Sequence, residues 1–138
     1  MLSLGEVLHS TAVKMPEKTA VVFRSRNTTY RALDLMSDGL AAYLRNAGIE
    51  PGDRVALVCI NCTAFVVAYY GILKAGAVVV PINVLLNADE VRHIIADSGS
   101  RGIIYHELFA PMVERLETAR EEMRVRICLS DDDDANAG

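Results

Sequence analysis

The chain has 138 residues, 51% hydrophobic and 23% charged, with 14 basic against 18 acidic side chains and a formal charge of −4. This describes one soluble globular domain, long enough to bury a core without disulfides or metals, and excludes disorder over most of the length. A pI of about 5.3 with no Lys/Arg run removes the electrostatic footprint on which nucleic acids or anionic membrane surfaces are held.

In chain order, the apolar period predicts a helix from about Leu2 to Met15, ended by Pro16 because a residue before proline avoids helical angles. Glu6, His9 and Lys14 within this stretch exclude a secretory signal, and with the odd count of cysteines (Cys59, Cys62, Cys128) they point to a reducing, cytoplasmic compartment. A hairpin follows, with strands Thr19 to Phe23 and Thr28 to Tyr30 joined by Arg24 to Asn27. From Thr29 as N-cap, Leu33, Met36, Leu40, Tyr43, Leu44 and Ala47 recur at helical spacing. Gly48 then stops the helix, with Ile49 folding back on Leu44.

Pro51-Gly52-Asp53 turns the chain into a strand, Arg54 to Ile60, whose unbroken apolar character fits burial on both faces at the centre of a parallel sheet. Val55 to Leu73 runs nineteen residues without a charge, yet Asn61-Cys62-Thr63 interrupts it, so a strand and a helix are expected in place of a transmembrane span. The helix, Cys62 to Ala75, is apolar nearly all round. With one sheet covering only one side of it, Val66, Val67 and Tyr70 are expected to be left bare and to support self-association through 62–75.

After Gly76, a strand from Ala77 to Pro81 leads to an N-cap at Asn87 with Glu90 three residues on, and to a helix carrying Val91, Ile94 and Ile95 inward and stopping at Gly99. A strand from Gly102 to Tyr105, a helix entered at Pro111 with Val113, Leu116 and Met123 inward, and a strand from Val125 to Leu129 follow. The fold class is therefore α/β: a mostly parallel, doubly wound sheet with flanking helices, preceded by an N-terminal helix and a β-hairpin. Residues 1–130 form the domain, and 131–138, opening on Asp131 to Asp134, form a disordered acidic tail with nothing apolar to bury.

No constellation in this order carries chemistry. Cys59 and Cys62 have redox spacing at a strand-to-helix junction, but Cys59 falls inside an apolar strand, where a free cysteine acts as a small hydrophobe. A zinc site needs more ligands than Cys128, His93 and His106 supply at any known spacing. Gly71 and Gly76 stand as far apart as the outer glycines of a phosphate loop, but Ala77-Val78 replaces its Lys-Ser/Thr, and the second glycine closes a helix. His9, His93 and His106 read as solvated side chains, Asp89-Glu90 as a helix start and Glu121-Glu122 as an exposed face. No catalytic, cofactor-binding or metal-binding residue is assigned.

Four segments together resemble a known family. They are Thr29-Tyr30-Arg31-Ala32-Leu33, Gly48-Ile49-Glu50-Pro51-Gly52-Asp53-Arg54-Val55-Ala56-Leu57, Lys74-Ala75-Gly76-Ala77-Val78-Val79-Val80-Pro81-Ile82-Asn83 and Asp97-Ser98-Gly99. In this order they are similar to the N-terminal part of the AMP-forming adenylating enzymes, the superfamily of acyl-CoA synthetases, nonribosomal adenylation domains and firefly luciferase. The resemblance runs from Leu4 to Leu129, and Leu85 to Glu90 turns it toward fatty or aromatic acyl-CoA synthetases.

It implies an enzyme that activates a small-molecule carboxylate with ATP as an acyl-adenylate and passes the acyl group to a thiol such as CoA. ATP, Mg and CoA are implied for the full-length enzyme, and none is expected to bind this fragment. Cys62-Thr63-Ala64-Phe65 departs from the family, which has a small residue, often proline, and an acidic residue before the phenylalanine. The family's phosphate loop, nucleotide contacts, metal-binding glutamate and catalytic lysine all come later than Gly138. The chain therefore reads as a catalytically silent fragment whose partner is the remainder of the same enzyme. The alternatives are a self-contained α/β module that binds a ligand or a protein, and a dithiol oxidoreductase using Cys59 and Cys62.

Overall fold

The computed structural model describes residues 3–116 and 123–130. Helix α1 (Leu4–Lys14) opens on a capping box in which Ser3 Oγ accepts from the Glu6 amide and the Glu6 carboxylate accepts from the Ser3 amide. Strands β1 (Thr19–Phe23) and β2 (Arg26–Thr29) form the hairpin, and α2 (Tyr30–Asn46) starts from Thr29, whose hydroxyl accepts from the Ala32 amide. The hairpin is tighter than the sequence suggests. Arg26 and Asn27 belong to β2, so the connection narrows to Arg24 and Ser25, with Arg24 in the left-handed region at φ 57°.

Strand β3 (Arg54–Val58) ends two residues earlier than its apolar run, and α3 (Thr63–Lys74) follows with Cys62 as N-cap. Then come β4 (Val78–Pro81), α4 (Ala88–Ser98), β5 (Gly102–His106), a 3-10 turn over Glu107–Phe109, α5 (Ala110–Glu114) and β6 (Val125–Leu129). Asn87 and Glu90 form the expected capping box, and Gly48, Gly76 and Gly99 take positive φ just past their helices. Ile49 donates to the Leu44 carbonyl at 3.0 Å, and both side chains are buried.

Strands β3 to β6 make a parallel sheet in the order β4-β3-β5-β6. One apolar layer joins Val55 and Leu57 of β3, Ile104 of β5 and Val125 of β6 to Ala41 and Leu44 of α2 and to Ala68 and Ile72 of α3. The other joins Ala56, Val58 and Ile103 to Val91 and Ile95 of α4 and to Val113 and Leu116. Helices thus cover both faces, as a doubly wound sheet requires. Met123 packs against the second layer as expected; the rest of its predicted helix, 117–122, lies outside the described residues, as does the predicted tail 131–138.

Two expectations about helix faces fail. Met36 (44% exposed) and Tyr43 (58%) lie on the outside of α2, while Asp34 and Ser37 are buried beside Leu33, Ala41 and Leu44. Helix α3 is not bare either: Val66, Val67 and Tyr70 are half-buried, because α1 and α2 pack across the side that the sheet leaves open. An all-round apolar helix here has an internal explanation. Among the described residues the exposed large apolar side chains belong instead to α1, α2, strand ends and loops, Leu4, Val13, Leu35 and Leu85 among them. No helix among the described residues is long and apolar enough to cross a membrane.

Candidate functional site

The winding of the sheet marks one place for a ligand. Helix α3, which follows β3, lies on one face, whereas α5, which follows β5, lies on the other, although β3 and β5 are neighbours. The connections leaving these two strands diverge at the strands' carboxyl ends, where ligands take the crevice in open α/β sheets. Residues 59–62 follow β3 there, with Asn61 exposed between the buried Cys59 and Cys62, and the buried His106 and exposed Glu107 stand at the end of β5.

His106 is the least expected of these residues. It is 1% exposed at the end of β5, and its Nδ1 accepts from the Leu108 amide at 3.1 Å, so it serves as the N-cap of the 3-10 turn. The solvated histidine inferred from its charged neighbour Glu107 is thus wrong for this position: strand alternation turns the ring inward. His93 is exposed as expected. Cys59 and Cys62 are buried and in the thiol form, with their sulfurs 3.8 Å apart, while Cys128 is exposed on β6. Burial, followed by the proximity of Cys128, raises the pKa of the Tyr105 hydroxyl.

A second arrangement was not foreseen. The Lys74 ammonium, at the C-terminus of α3, donates to Asp34 Oδ1 (2.5 Å), the Asp34 carbonyl (3.0 Å) and Asp38 Oδ1 (2.8 Å), and His9 Nδ1 of α1 lies 2.9 Å from Asp34 Oδ2. Gly5 of α1 makes room for the lysine stem, since a Cβ there would stand 2.9 Å from Lys74 Cγ. Burial by itself would raise the Asp34 carboxyl's pKa; hydrogen bonds from Lys74 and His9, with their charges, hold it below the ordinary value instead. The signal was present in the sequence, because Asp34, Ser37 and Ala41 lie on the same helical face as Leu33 and Leu44. The network ties three helices together around an enclosed pair, with the lysine side chain 9% exposed and the central aspartate 10%, while His9 (64%) and Asp38 (54%) stand at its solvent edge.

Two clefts lie elsewhere. One of about 320 Å³ is lined by Arg26, Thr28, Thr29, Met36 and Thr63, polar groups without a carboxylate or imidazole to act as a base. The other, of about 350 Å³, lies at the start of α4, where Arg92 is already committed to Asp89 and to the carbonyls of Arg115 and Leu116. Gly71 and Gly76 do not form a phosphate loop: Gly71 is the point where α3 meets Leu40 of α2, and Gly76 follows the C-cap of α3. Among the described residues no group of three or more His, Cys, Asp or Glu side chains is placed to hold a metal.

The comparisons give this geometry its context. The AMP-binding enzyme family matches residues 8–138. Among curated proteins, the chain is 38% identical over 112 residues to the fatty acid–[acyl-carrier-protein] ligase ScoC of Streptomyces coeruleorubidus, covering 81% of this chain and 22% of that protein. It is 35% identical over 118 residues to the long-chain-fatty-acid–CoA ligase of Bacillus subtilis (strain 168), covering 84% of this chain and 21% of that one. The chain thus spans about a fifth of the length of these relatives. Its fold is similar to an inhibitor-bound N-terminal domain of FACL13 from Mycobacterium tuberculosis, with a TM-score of 0.86 and 34% identity over 94% of this chain and 34% of that one. The order of motifs, the doubly wound sheet and these likenesses agree, and the chain belongs to the AMP-binding enzyme family.

Proposed function

We propose that this chain supplies part of the wall of the acyl- and thiol-binding region in a ligase that activates a fatty or aromatic carboxylate with ATP and Mg as an acyl-adenylate, then passes the acyl group to CoA or a carrier thiol. The observation that carries this reading is the family match over nearly the whole chain to proteins named as fatty acid ligases. The crevice at the carboxyl ends of β3 and β5 is the part of this segment that faces the ligand, with the exposed Asn61 and Glu107 on its two sides. Residues 1–130 act as one subdomain, 131–138 as an acidic tail, and the assembled enzyme works in the cytoplasm. Self-association through 62–75 draws no support from a fold in which α3 lies beneath α1 and α2.

By itself the chain is expected to be catalytically silent. Adenylation needs a preorganised cradle for the phosphates and their cation, and no Gly/Ser/Thr-rich segment of this sequence provides one. The test is ATP–pyrophosphate exchange by the purified chain with a panel of fatty and aromatic acids. Exchange at the no-enzyme background is the expected result; acyl-adenylate above it would overturn this reading.

A further inference from the structure

Two thiols, Cys59 and Cys62, lie buried where β3 gives way to α3. The redox reading of Cys59-Ile60-Asn61-Cys62 as a disulfide-exchange enzyme needs an attacking sulfur open to a partner protein, and both residues are only 6% exposed. The structure shows a different capacity. Strand β3 stops at Val58, two residues before its apolar run ends, and this early stop frees Cys59 to turn toward Cys62. Cys62, as the N-cap of α3, has an extended backbone (φ −157°, ψ 177°), and its side chain makes no capping hydrogen bond. The sulfurs are in contact at 3.8 Å, so rotations about the side-chain bonds suffice to bring them to bonding distance.

We propose that Cys59 and Cys62 are an oxidation site: a peroxide converts them to an intramolecular disulfide that clamps the β3–α3 junction and is reopened by thiols. The chemistry balances with hydrogen peroxide as the oxidant. The thiolate of one cysteine attacks a peroxide oxygen, the O–O bond breaks, and that sulfur becomes a sulfenic acid as hydroxide leaves and is protonated to water. The second sulfur then attacks the sulfenic sulfur, forming the S–S bond and releasing the sulfenic oxygen as a second water. The two thiols are oxidised by two electrons and the peroxide is reduced. Burial selects the oxidant, because hydrogen peroxide is small and neutral and enters where a protein disulfide does not, and the contact between the sulfurs lets the second step outrun further oxidation of the sulfenic acid. The consequence for ligand binding rests on the function proposed above: the clamp spans the four residues on the β3 side of the crevice, and its formation alters the wall facing the acyl group.

The experiment uses the full chain, fully reduced and then treated with graded hydrogen peroxide, quenched, unfolded and alkylated. Trypsin releases both cysteines in one peptide, 55–74, and Cys128 in another. The expected result is a 55–74 peptide lighter by two hydrogens and carrying no label, so that labelling falls from three thiols to Cys128 alone, with full recovery after dithiothreitol. Cys62→Ser, which places a favoured capping residue at the start of α3 and so keeps the fold, abolishes the lighter peptide and leaves a sulfenic acid at Cys59 that dimedone traps. The proposal is overturned if both cysteines of 55–74 still take label after peroxide. It is also overturned if they accumulate as sulfinic acids without the lighter peptide, or if they pair only with Cys128 of another chain. This readout is independent of ligase activity, so its failure and that of the functional reading are separable.

Discussion

Lys74→Met is expected to cost about 3 kcal/mol, because it removes the ammonium and leaves the Asp34 carboxylate buried with only His9 to face it. For a chain of this size that is a fall of roughly 10 °C in thermal midpoint. The deficit depends on pH in a defined direction. In the wild type the folded carboxyl has a lowered pKa, so its contribution is complete above the unfolded value of about 3.9 and is lost as the pH falls through the lower, folded one. In the variant, burial without the lysine favours the protonated acid, so mild acidification should narrow the gap between the two proteins. Removing both charges, as Asp34→Leu with Lys74→Met, should recover most of the loss. Urea titrations at pH 7 and pH 4.5 provide the check, and a change within about 0.5 kcal/mol for the single variant would show that the pair is effectively solvated.

Gly71→Val is expected to be as damaging, at about 3 kcal/mol. Glycine inside a helix ordinarily costs about 1 kcal/mol relative to alanine, so a substitution into free space would stabilise α3. There is no free space: a Cβ at Gly71 would stand 2.6 Å from Leu40 Cδ2, 2.8 Å from its Cγ and 2.9 Å from its Cβ. Because the Leu40 Cβ is fixed to its backbone, rotating the leucine cannot relieve the clash, and α2 must move away from α3. The expected signature is non-additivity. Gly71→Ala destabilises the wild type and costs less in a Leu40→Ala background, which removes the Cγ and Cδ2 contacts but keeps the Cβ at 2.9 Å, and a double-mutant cycle by chemical denaturation measures the coupling.

These two sites also show what could be read from the sequence. Local signals were legible: Thr29 caps α2, Asn87 and Glu90 form their box, and Gly48, Gly76 and Gly99 take the positive φ that helix exits need. The continuous apolar run of β3 correctly announced a strand covered on both faces. What failed was non-local. The face of α2 could not be phased from apolar residues alone, because Asp34 is carried inward by a lysine forty positions away, and Met36 and Tyr43 give way to it. The coverage of α3 depended on α1 folding over it, and the early end of β3, which brings the two cysteines together, leaves no mark in a run that stays apolar through Ile60. The switch in winding between β3 and β5 left no mark in the sequence, since it exists through strand order and not through any motif.

In the sheet, β4 and β6 each have one neighbour, while β3 pairs with β4 on one side and β5 on the other and sends alternate side chains into both apolar layers. It is an articulation point: without β3, β4 has no partner, and β5 keeps only β6 and becomes an edge. Its amides can then lose protection only when the whole domain opens, whereas the outer strands can fray by themselves. Deuterium uptake should accordingly be slowest at Val55 to Val58, and the rate there should report the global unfolding free energy of the chain.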